Sequence, residues 1–149
     1  MASCVQRAVP MNRDAGRDIR ERSFKFGCEV ARFALKLAPV PGVRCIVDQL
    51  LKAGTAVGAN LEEAKAGSSR REFVRCVDIA LREARESLYW LRICAALQLG
   101  PIDPLRELQA EADQLVRILT AIAINTKRRM LVVLVVSAFC ILNSALLLS

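Results

Sequence analysis

Arginine recurs between residues 71 and 92 at spacings of four, seven, three and seven residues. The positions are Arg71, Arg75, Arg82, Arg85 and Arg92. If this stretch is a helix, the spacings place these side chains along one outward stripe. A guanidinium group binds phosphate oxygens through two hydrogen bonds, so the stripe is a candidate track for the phosphates of RNA or DNA.

A second interpretation of the same stripe is a solvated helix face that is neutralised by its own acidic residues. Asp78 with Arg82, and Arg82 with Glu86, have the i,i+4 spacing that allows ion pairs along one helix. Tyr89 and Trp90 are neighbours, so they point in different directions around the helix. We expect one in the core and the other over an adjoining helix or subunit. Base stacking would require an exposed ring.

Small residues stand out in the stretch that precedes the arginines. Gly54 and Gly58 lie one turn apart among alanines, and each glycine costs a helix about 1 kcal/mol. A helix retains such residues where another backbone comes close, which favours tight packing within or between subunits over a ligand groove. Asn60 and Glu63 adjoin this face and are expected to form hydrogen bonds across helices or subunits rather than to contact a ligand.

The residues needed for catalysis are missing. The chain has no histidine, which removes the usual general base and the commonest metal ligand. Ser68 and Ser69 lack a histidine or a nucleophile elbow, and no glycine-rich phosphate loop follows a strand. We therefore expect a protein that is not an enzyme and has no cofactor, no metal site and no small-molecule substrate.

The cysteines favour a reducing compartment. The positions are Cys4, Cys28, Cys45, Cys76, Cys94 and Cys140. They are far apart in sequence, form no C-x-x-C pair and follow no secretory signal, so we expect reduced core thiols in a cytoplasmic protein.

Composition favours one all-α domain. Hydrophobic residues make up 54% of the 149 residues and aromatic residues 5%, with only 7 glycines and 5 prolines. The net charge of +7 is spread over the body of the chain rather than gathered in a tail. Such a surface favours encounters with polyanions, namely nucleic acid or an anionic membrane.

Apolar spacing and chain breaks predict four helices after a disordered lead of residues 1–17. The first helix begins at Asp18, which has capping-box spacing to Glu21, and Ser69 has the same spacing to Glu72 at the start of the third. The predicted helices cover residues 18–37, 43–66, 69–97 and 105–129. Four amphipathic helices with short connections pack most simply as an antiparallel up-down-up-down four-helix bundle over residues 18–129.

Residues 130–149 carry no charge and predict a further hydrophobic helix at the C-terminus. At 1.5 Å per residue, such a helix covers the roughly 30 Å hydrocarbon core of a bilayer. The preceding residues 127–129 are all basic, so the segment is predicted to be a tail anchor in the cytoplasmic membrane. Two alternatives are a prolonged fourth helix buried in an oligomer and an extension without a role.

Several motifs together resemble the bacterial four-helix-bundle family that includes proteins encoded in intervening sequences of 23S ribosomal RNA genes. The matching segments are residues 22–26 (RSFKF), 54–60 (GTAVGAN) with 63–64, 69–73 (SRREF), 79–84 (IALREA) and 86–91 (ESLYWL). This resemblance implies a ring-like homopentamer. It also suggests kinship with the accessory variability proteins of diversity-generating retroelements, basic pentamers that bind nucleic acid and the reverse transcriptase of the retroelement.

Two functional hypotheses follow. The first is a non-enzymatic homo-oligomer that binds RNA or DNA through the arginine stripe. The candidate structural and assembly residues are Gly54, Gly58, Asn60, Glu63, Glu86 and Trp90. The second hypothesis is a tail-anchored scaffold whose bundle recruits a protein partner at the membrane.

Overall fold

The computed structural model describes the backbone of residues 13–147 and the side chains of residues 19–135. The helices are α1 (Arg13–Leu37), α2 (Arg44–Ala66), α3 (Arg70–Ala96) and α4 (Ile102–Leu147). The described backbone contains no strand. The predicted all-α, antiparallel up-down-up-down four-helix bundle is therefore confirmed.

The first helix starts earlier than its capping signal predicts. α1 begins at Arg13, so residues 13–17 are helical where the sequence predicted a disordered lead, and Asp18 lies inside the helix. Residues 13–17 contain no proline, and Gly16 costs a helix only about 1 kcal/mol, so nothing in this segment stops the helix. Residues 1–12 of the predicted lead lie outside the described residues.

The start of α3 follows its capping signal closely. Ser69 is the N-cap residue in an extended conformation, and its hydroxyl accepts a hydrogen bond of 3.1 Å from the backbone N–H of Glu72. In a full capping box, the Glu72 carboxylate would also accept a hydrogen bond from the backbone N–H of Ser69. Here it accepts hydrogen bonds from Arg75 instead.

The core lies along the axis between the helices and takes apolar side chains from all four. The largest fully buried ones are Phe26, Val30, Leu37, Leu50, Val57, Cys76, Val77, Leu91, Cys94, Leu105, Leu115 and Leu119. Full burial of a side chain of this size contributes about 1.5–3 kcal/mol to folding. α2 packs against α1 and α3, α3 packs against α4, and the contact between α1 and α4 is the least extensive.

An ion pair closes the sparse side of the bundle between α1 and α4. Both Nε and Nη2 of Arg22 lie 2.7 Å from the carboxylate oxygens of Glu111, and Nη2 also donates to Oε1 of Gln114 at 2.7 Å. A two-pronged contact of this kind fixes the rotation of both side chains as well as their separation. It therefore sets the register of α1 against α4.

The fourth helix continues past the bundle. α4 has 46 residues, about 69 Å at 1.5 Å per residue, whereas α3 has 27. Every side chain from 131 to 135 is exposed, and five consecutive residues cover all sides of a helix. The hydrophobic segment thus continues the fourth helix to Leu147, and the alternative that this part of the helix is buried in an oligomer remains a prediction.

No helix in the described part of the chain is long and apolar enough to cross a membrane. The predicted tail anchor, residues 130–149, lies mostly beyond residue 135, the last residue whose side chain is described. The membrane-anchor prediction therefore gains no support from the described residues.

Candidate nucleic-acid interface

The predicted arginine stripe lies on the outer face of α3. Its members Arg71, Arg75, Arg82, Arg85 and Arg92 are all exposed. The opposite face of α3 supplies the core with Cys76, Val77, Ala80, Ala84, Leu91 and Cys94. This burial pattern fixes the rotation of α3, so the stripe points into solvent along nearly the whole helix.

Asp78 falls within the stripe, and it is neutralised from another helix. Nζ of Lys127, on α4, lies 2.7 Å from Oδ2 and 2.9 Å from Oδ1 of Asp78. The predicted ion pair between Asp78 and Arg82 is therefore wrong. The ammonium group of Lys127, on the antiparallel helix α4, pairs with the carboxylate that Arg82 would otherwise bind at i,i+4 spacing.

Glu86 is engaged within α3 itself. Its Oε1 accepts a hydrogen bond of 3.3 Å from the indole Nε1 of Trp90. The predicted pair between Arg82 and Glu86 does not form. Among the described residues, no carboxylate lies within ion-pair distance of Arg71, Arg82, Arg85 or Arg92.

Arg75 is the exception in the stripe. Its Nη2 lies 2.6 Å from Oε1 of Glu72, one turn before it on α3. The hydrogen bonds from this guanidinium lower the pKa of Glu72, and the same contact raises the pKa of Arg75. Both groups stay charged across the ordinary pH range, so the pair is a fixed local neutralisation near the start of α3.

The two adjacent aromatic residues of α3 have different environments. Tyr89 is 56% exposed, whereas Trp90 is half-buried and packs against the core. Their rings meet edge to face, with centroids 5.3 Å apart and an angle of 72° between the planes. The expectation that one ring is buried therefore holds in part for Trp90. Tyr89 lies on the exposed face of α3.

The two glycines of α2 differ in how closely α1 approaches them. A Cβ atom at Gly54 would lie 2.5 Å from Cγ1 of Val30 on α1, which leaves no room for any other residue. At Gly58 a Cβ atom would lie 3.5 Å from backbone atoms of Ser23, an ordinary contact distance. On the facing side, a Cβ atom at Gly27 of α1 would lie 3.4 Å from the carbonyl oxygen of Gly54, also an ordinary contact distance. The prediction of close helix packing is confirmed for Gly54.

Within the described part of the chain, neither Asn60 nor Glu63 forms a hydrogen bond to another helix, although the charge of Glu63 acts on Arg75 of α3. The Asn60 side chain donates a hydrogen bond of 2.8 Å to the carbonyl of Ala56, four residues earlier on α2, and Glu63 is exposed. Of the hydrogen bonds predicted across helices or subunits, those between helices of one subunit are therefore not formed among the described residues. An amide that can bond to its own helix satisfies its donor without a partner helix. Their predicted roles between subunits remain predictions.

A groove runs along the sparse contact between α1 and α4. Phe26, Phe33 and Leu108 line its apolar part. Its charged residues are Arg22, Lys25, Glu29, Arg32, Lys36, Glu107 and Glu111. The mixture of both signs gives this groove no strong preference for a polyanion, in contrast to the stripe on α3.

Comparison with known proteins places the chain in a family. The model of the 23S rRNA-intervening sequence protein family matches residues 17–121, which span α1, α2, α3 and the bundle part of α4. The chain belongs to this family. No curated protein matches it in sequence.

The fold of this member of the 23S rRNA-intervening sequence protein family also has a match among solved structures. It is similar to the crystal structure of a protein with unknown function from the S23 ribosomal protein family of Bacteroides thetaiotaomicron VPI-5482. The two chains are 24% identical, with a TM-score of 0.68, over 72% of this chain and 96% of the other. At this level of identity the match shows the fold alone.

The cysteines of this family member fall into two groups. Cys76 and Cys94 are buried, as predicted, and burial raises the pKa of both thiols. Cys45 is exposed and Cys28 is half-buried, so the prediction of core thiols is wrong for Cys45. Cys45 follows the first residue of α2, on the side that faces away from the core. Cys4 and Cys140 lie outside the residues whose side chains are described.

Sequence reasoning missed the role of Lys127. In the sequence this residue stands out only as part of the basic flank before the hydrophobic segment, yet it pairs with Asp78 within the arginine stripe. The partners are 49 residues apart, so no helical spacing connects them. Only the alignment of antiparallel α3 and α4, which also brings Gln109 to the carbonyl of Leu91, reveals the pair.

Proposed function

We propose that this protein is a non-enzymatic nucleic-acid-binding protein that contacts RNA or DNA phosphates through the arginine stripe of α3. The main support for this proposal is that two acidic residues on this side of α3 interact with groups other than the arginines of the stripe. Asp78 binds Lys127, and Glu86 accepts a hydrogen bond from Trp90. Arg82, Arg85 and Arg92 thus face solvent with no carboxylate partner in the described part of the chain.

An exposed arginine without an acidic partner is well suited to a phosphate. No carboxylate has to be displaced from its N–H donors before a phosphate binds. A guanidinium then binds phosphate oxygens through paired hydrogen bonds. Phosphate contacts carry no sequence information, so the stripe supports affinity and orientation rather than base-specific readout. The net charge of +7 favours the encounter with a polyanion.

We also propose that the protein works as a homo-oligomer, the pentamer that the family resemblance implies. Phe24 and Leu35 are 65% and 68% exposed on α1. They are eleven residues apart, so they lie three turns apart on the same side of the helix. Large exposed apolar side chains in one line are typical of contact surfaces. In a ring, the copies of α3 would present several stripes at once, which raises affinity through multivalency.

Charge-matched variants test the nucleic-acid proposal. Combined Arg82→Gln, Arg85→Gln and Arg92→Gln substitutions remove unpaired arginines from the stripe. The control combines Arg32→Gln, Arg44→Gln and Arg117→Gln, whose arginines are paired with acids on their own helices. At low salt the stripe variant is expected to lose at least about tenfold in affinity for RNA. Equal losses in both variants, or no binding by the wild-type chain, would overturn the proposal.

Light scattering after size-exclusion chromatography tests the assembly. The wild-type chain is expected at five times the monomer mass, and the double substitution Phe24→Glu with Leu35→Glu is expected to yield monomers, because a buried carboxylate without a partner is costly. Lys25→Glu, an exposed position next to Phe24, provides the control for added negative charge. A monomeric wild-type chain would contradict the proposed assembly.

A further inference from the structure

We infer that Tyr89 is a stacking platform for an unpaired base, so that the arginine stripe of α3 selects single-stranded over double-stranded nucleic acid. The inference rests on the proposed function, since it concerns the ligand of the same face. It adds a class of ligand, single-stranded nucleic acid, and a residue, Tyr89, that would contact its bases.

Tyr89 lies in the middle of the arginine stripe. It follows Arg82 by seven residues and Arg85 by four, and it precedes Arg92 by three. In a helix, these spacings put the ring on the same side as the arginines, one turn from the nearer two. The ring is 56% exposed, and the neighbouring arginines have no carboxylate partner among the described residues. An aromatic face is thus framed by cations on both sides.

The ring of Tyr89 has a fixed neighbour. Trp90 packs against the core, and its indole N–H is held by Glu86 at 3.3 Å. The Tyr89 ring meets this indole edge to face at a centroid distance of 5.3 Å. A ring that is already positioned loses little conformational freedom when a ligand binds. Trp90, which Glu86 holds through its indole N–H, therefore gives the Tyr89 ring a positioned neighbour on one side.

The chemistry of this arrangement fits single strands. Every base has a flat face that stacks on an aromatic ring, and alanine substitution of such a ring weakens binding by about 5- to 150-fold for each stacked base. In a duplex the base faces are occupied by neighbouring bases, and only phosphates and groove edges are accessible. The arginines can serve either ligand, but Tyr89 can serve only the strand with unpaired bases.

The test compares single-stranded RNA of about twelve nucleotides with a duplex of the same length at one salt concentration, using the full chain and fluorescence anisotropy. Tyr89→Phe keeps the aromatic face, whereas Tyr89→Leu keeps an apolar side chain of similar size without it. We expect Tyr89→Phe to bind the single strand like wild type. We expect Tyr89→Leu and Tyr89→Ala to lose at least fivefold on the single strand and less than twofold on the duplex.

The outcomes separate the inference from the function on which it rests. If wild type binds both ligands and Tyr89→Leu binds both as well as wild type does, the stacking inference fails while the proposed function stands. If no nucleic acid binds, both fail. If Tyr89→Leu changes the mass of the oligomer instead of the affinity for the single strand, Tyr89 belongs to a protein interface and the inference is overturned. Far-ultraviolet circular dichroism verifies that each variant is folded.

Discussion

The ammonium nitrogen of Lys127 lies 2.7 Å from one carboxylate oxygen of Asp78 and 2.9 Å from the other. The contact joins α4 to α3 at the point where Asp78 falls between Arg75 and Arg82 along the stripe. Because the carboxylate is shared with α4, its negative charge is offset locally and Arg82 keeps its donors for another ligand. A link between helices thus determines the charge of the candidate interface.

Substitution of Asp78 by Asn is expected to strengthen nucleic-acid binding. The change removes one negative charge from the stripe and releases Lys127, and two unit charges roughly 7 Å apart in water interact by about 0.6 kcal/mol. We expect about threefold tighter binding to single-stranded RNA at low salt. The unfolding free energy should fall by less than about 1 kcal/mol, because the pair is partly exposed. Anisotropy and urea titration measure the two effects.

Asp48→Asn is the matched control for that prediction. Asp48 pairs with Arg44 on α2, outside the stripe, so its loss makes the same change in net charge. If both variants bind RNA with the same gain in affinity, the effect reports overall charge and the local role of Asp78 is contradicted.

The glycines of α2 predict opposite responses to alanine. Gly54→Ala places a Cβ atom 2.5 Å from Cγ1 of Val30, and overpacking of this kind costs about 1–3 kcal/mol, more than the helix propensity gained. Gly58→Ala meets ordinary contacts at 3.5 Å, so it should stabilise the protein by up to about 1 kcal/mol. Urea unfolding measures both. Adding Val30→Ala to Gly54→Ala should restore part of the loss, and a neutral Gly54→Ala would refute the close approach.

The ion pair between Arg22 and Glu111 is expected to matter more than the other ion pairs. Both side chains are about 30% exposed, and the contact is two-pronged. We expect Arg22→Ala to lower the unfolding free energy by about 1–2 kcal/mol, and Arg22→Lys by nearly as much, since an ammonium group cannot make both bonds. A double-mutant cycle with Glu111→Gln isolates the pair. Arg44→Ala, from a pair that is highly exposed, should change stability by less than about 0.5 kcal/mol.

Thiol labelling should distinguish the cysteines of the bundle. Brief treatment of the native protein with iodoacetamide should modify Cys45 first, while Cys76 and Cys94 react only after unfolding. Peptide mass spectrometry locates the label. Labelling of Cys94 as fast as Cys45 in the native protein would contradict the buried core.

The same burial predicts a dependence of stability on pH. Burial raises the pKa of Cys94, so the folded chain keeps the thiol neutral at pH values where the unfolded chain has ionised it. Below the ordinary thiol pKa, Cys94 is neutral in both states and does not change how the unfolding free energy depends on pH. The unfolding free energy should then decrease as pH rises towards the raised pKa. Between the ordinary and the raised thiol pKa, the unfolding free energy should decrease less in Cys94→Ala than in the wild-type chain. Urea titrations at several alkaline pH values measure this difference.

Local patterns predicted the helices because each depends on signals within a few residues. In α1, Phe26, Val30, Phe33 and Leu37 recur at intervals of four, three and four residues, a spacing typical of one helix face. All four side chains are buried. Ser69 marked the start of α3 through a hydrogen bond that spans three residues. The beginning of α1 was predicted too late because Asp18 satisfies the capping pattern inside a helix that nothing upstream interrupts.

The candidate site was only half predictable from sequence. Helical spacing placed the arginines on one face, but their partners depended on side chains from elsewhere in the fold. Lys127 reaches Asp78 from 49 residues away, and the exposure of Tyr89 follows from the rotation of α3 against its neighbours. Asn60 donates a hydrogen bond to its own helix. The spacing of residues in the sequence does not distinguish such a bond from one to another helix.

The salt dependence of RNA binding shows directly whether the stripe of α3 contacts phosphates. The affinity of the wild-type chain for single-stranded RNA is measured from about 50 to 200 mM salt, together with the Arg82, Arg85 and Arg92 triple glutamine variant. Each phosphate contact contributes about −0.7 to the slope of log affinity against log salt on a single strand. We predict that the triple variant has a slope shallower by about 2, whereas the Arg32, Arg44 and Arg117 control keeps the wild-type slope. Equal slopes in all three proteins would contradict a phosphate-binding role for the stripe.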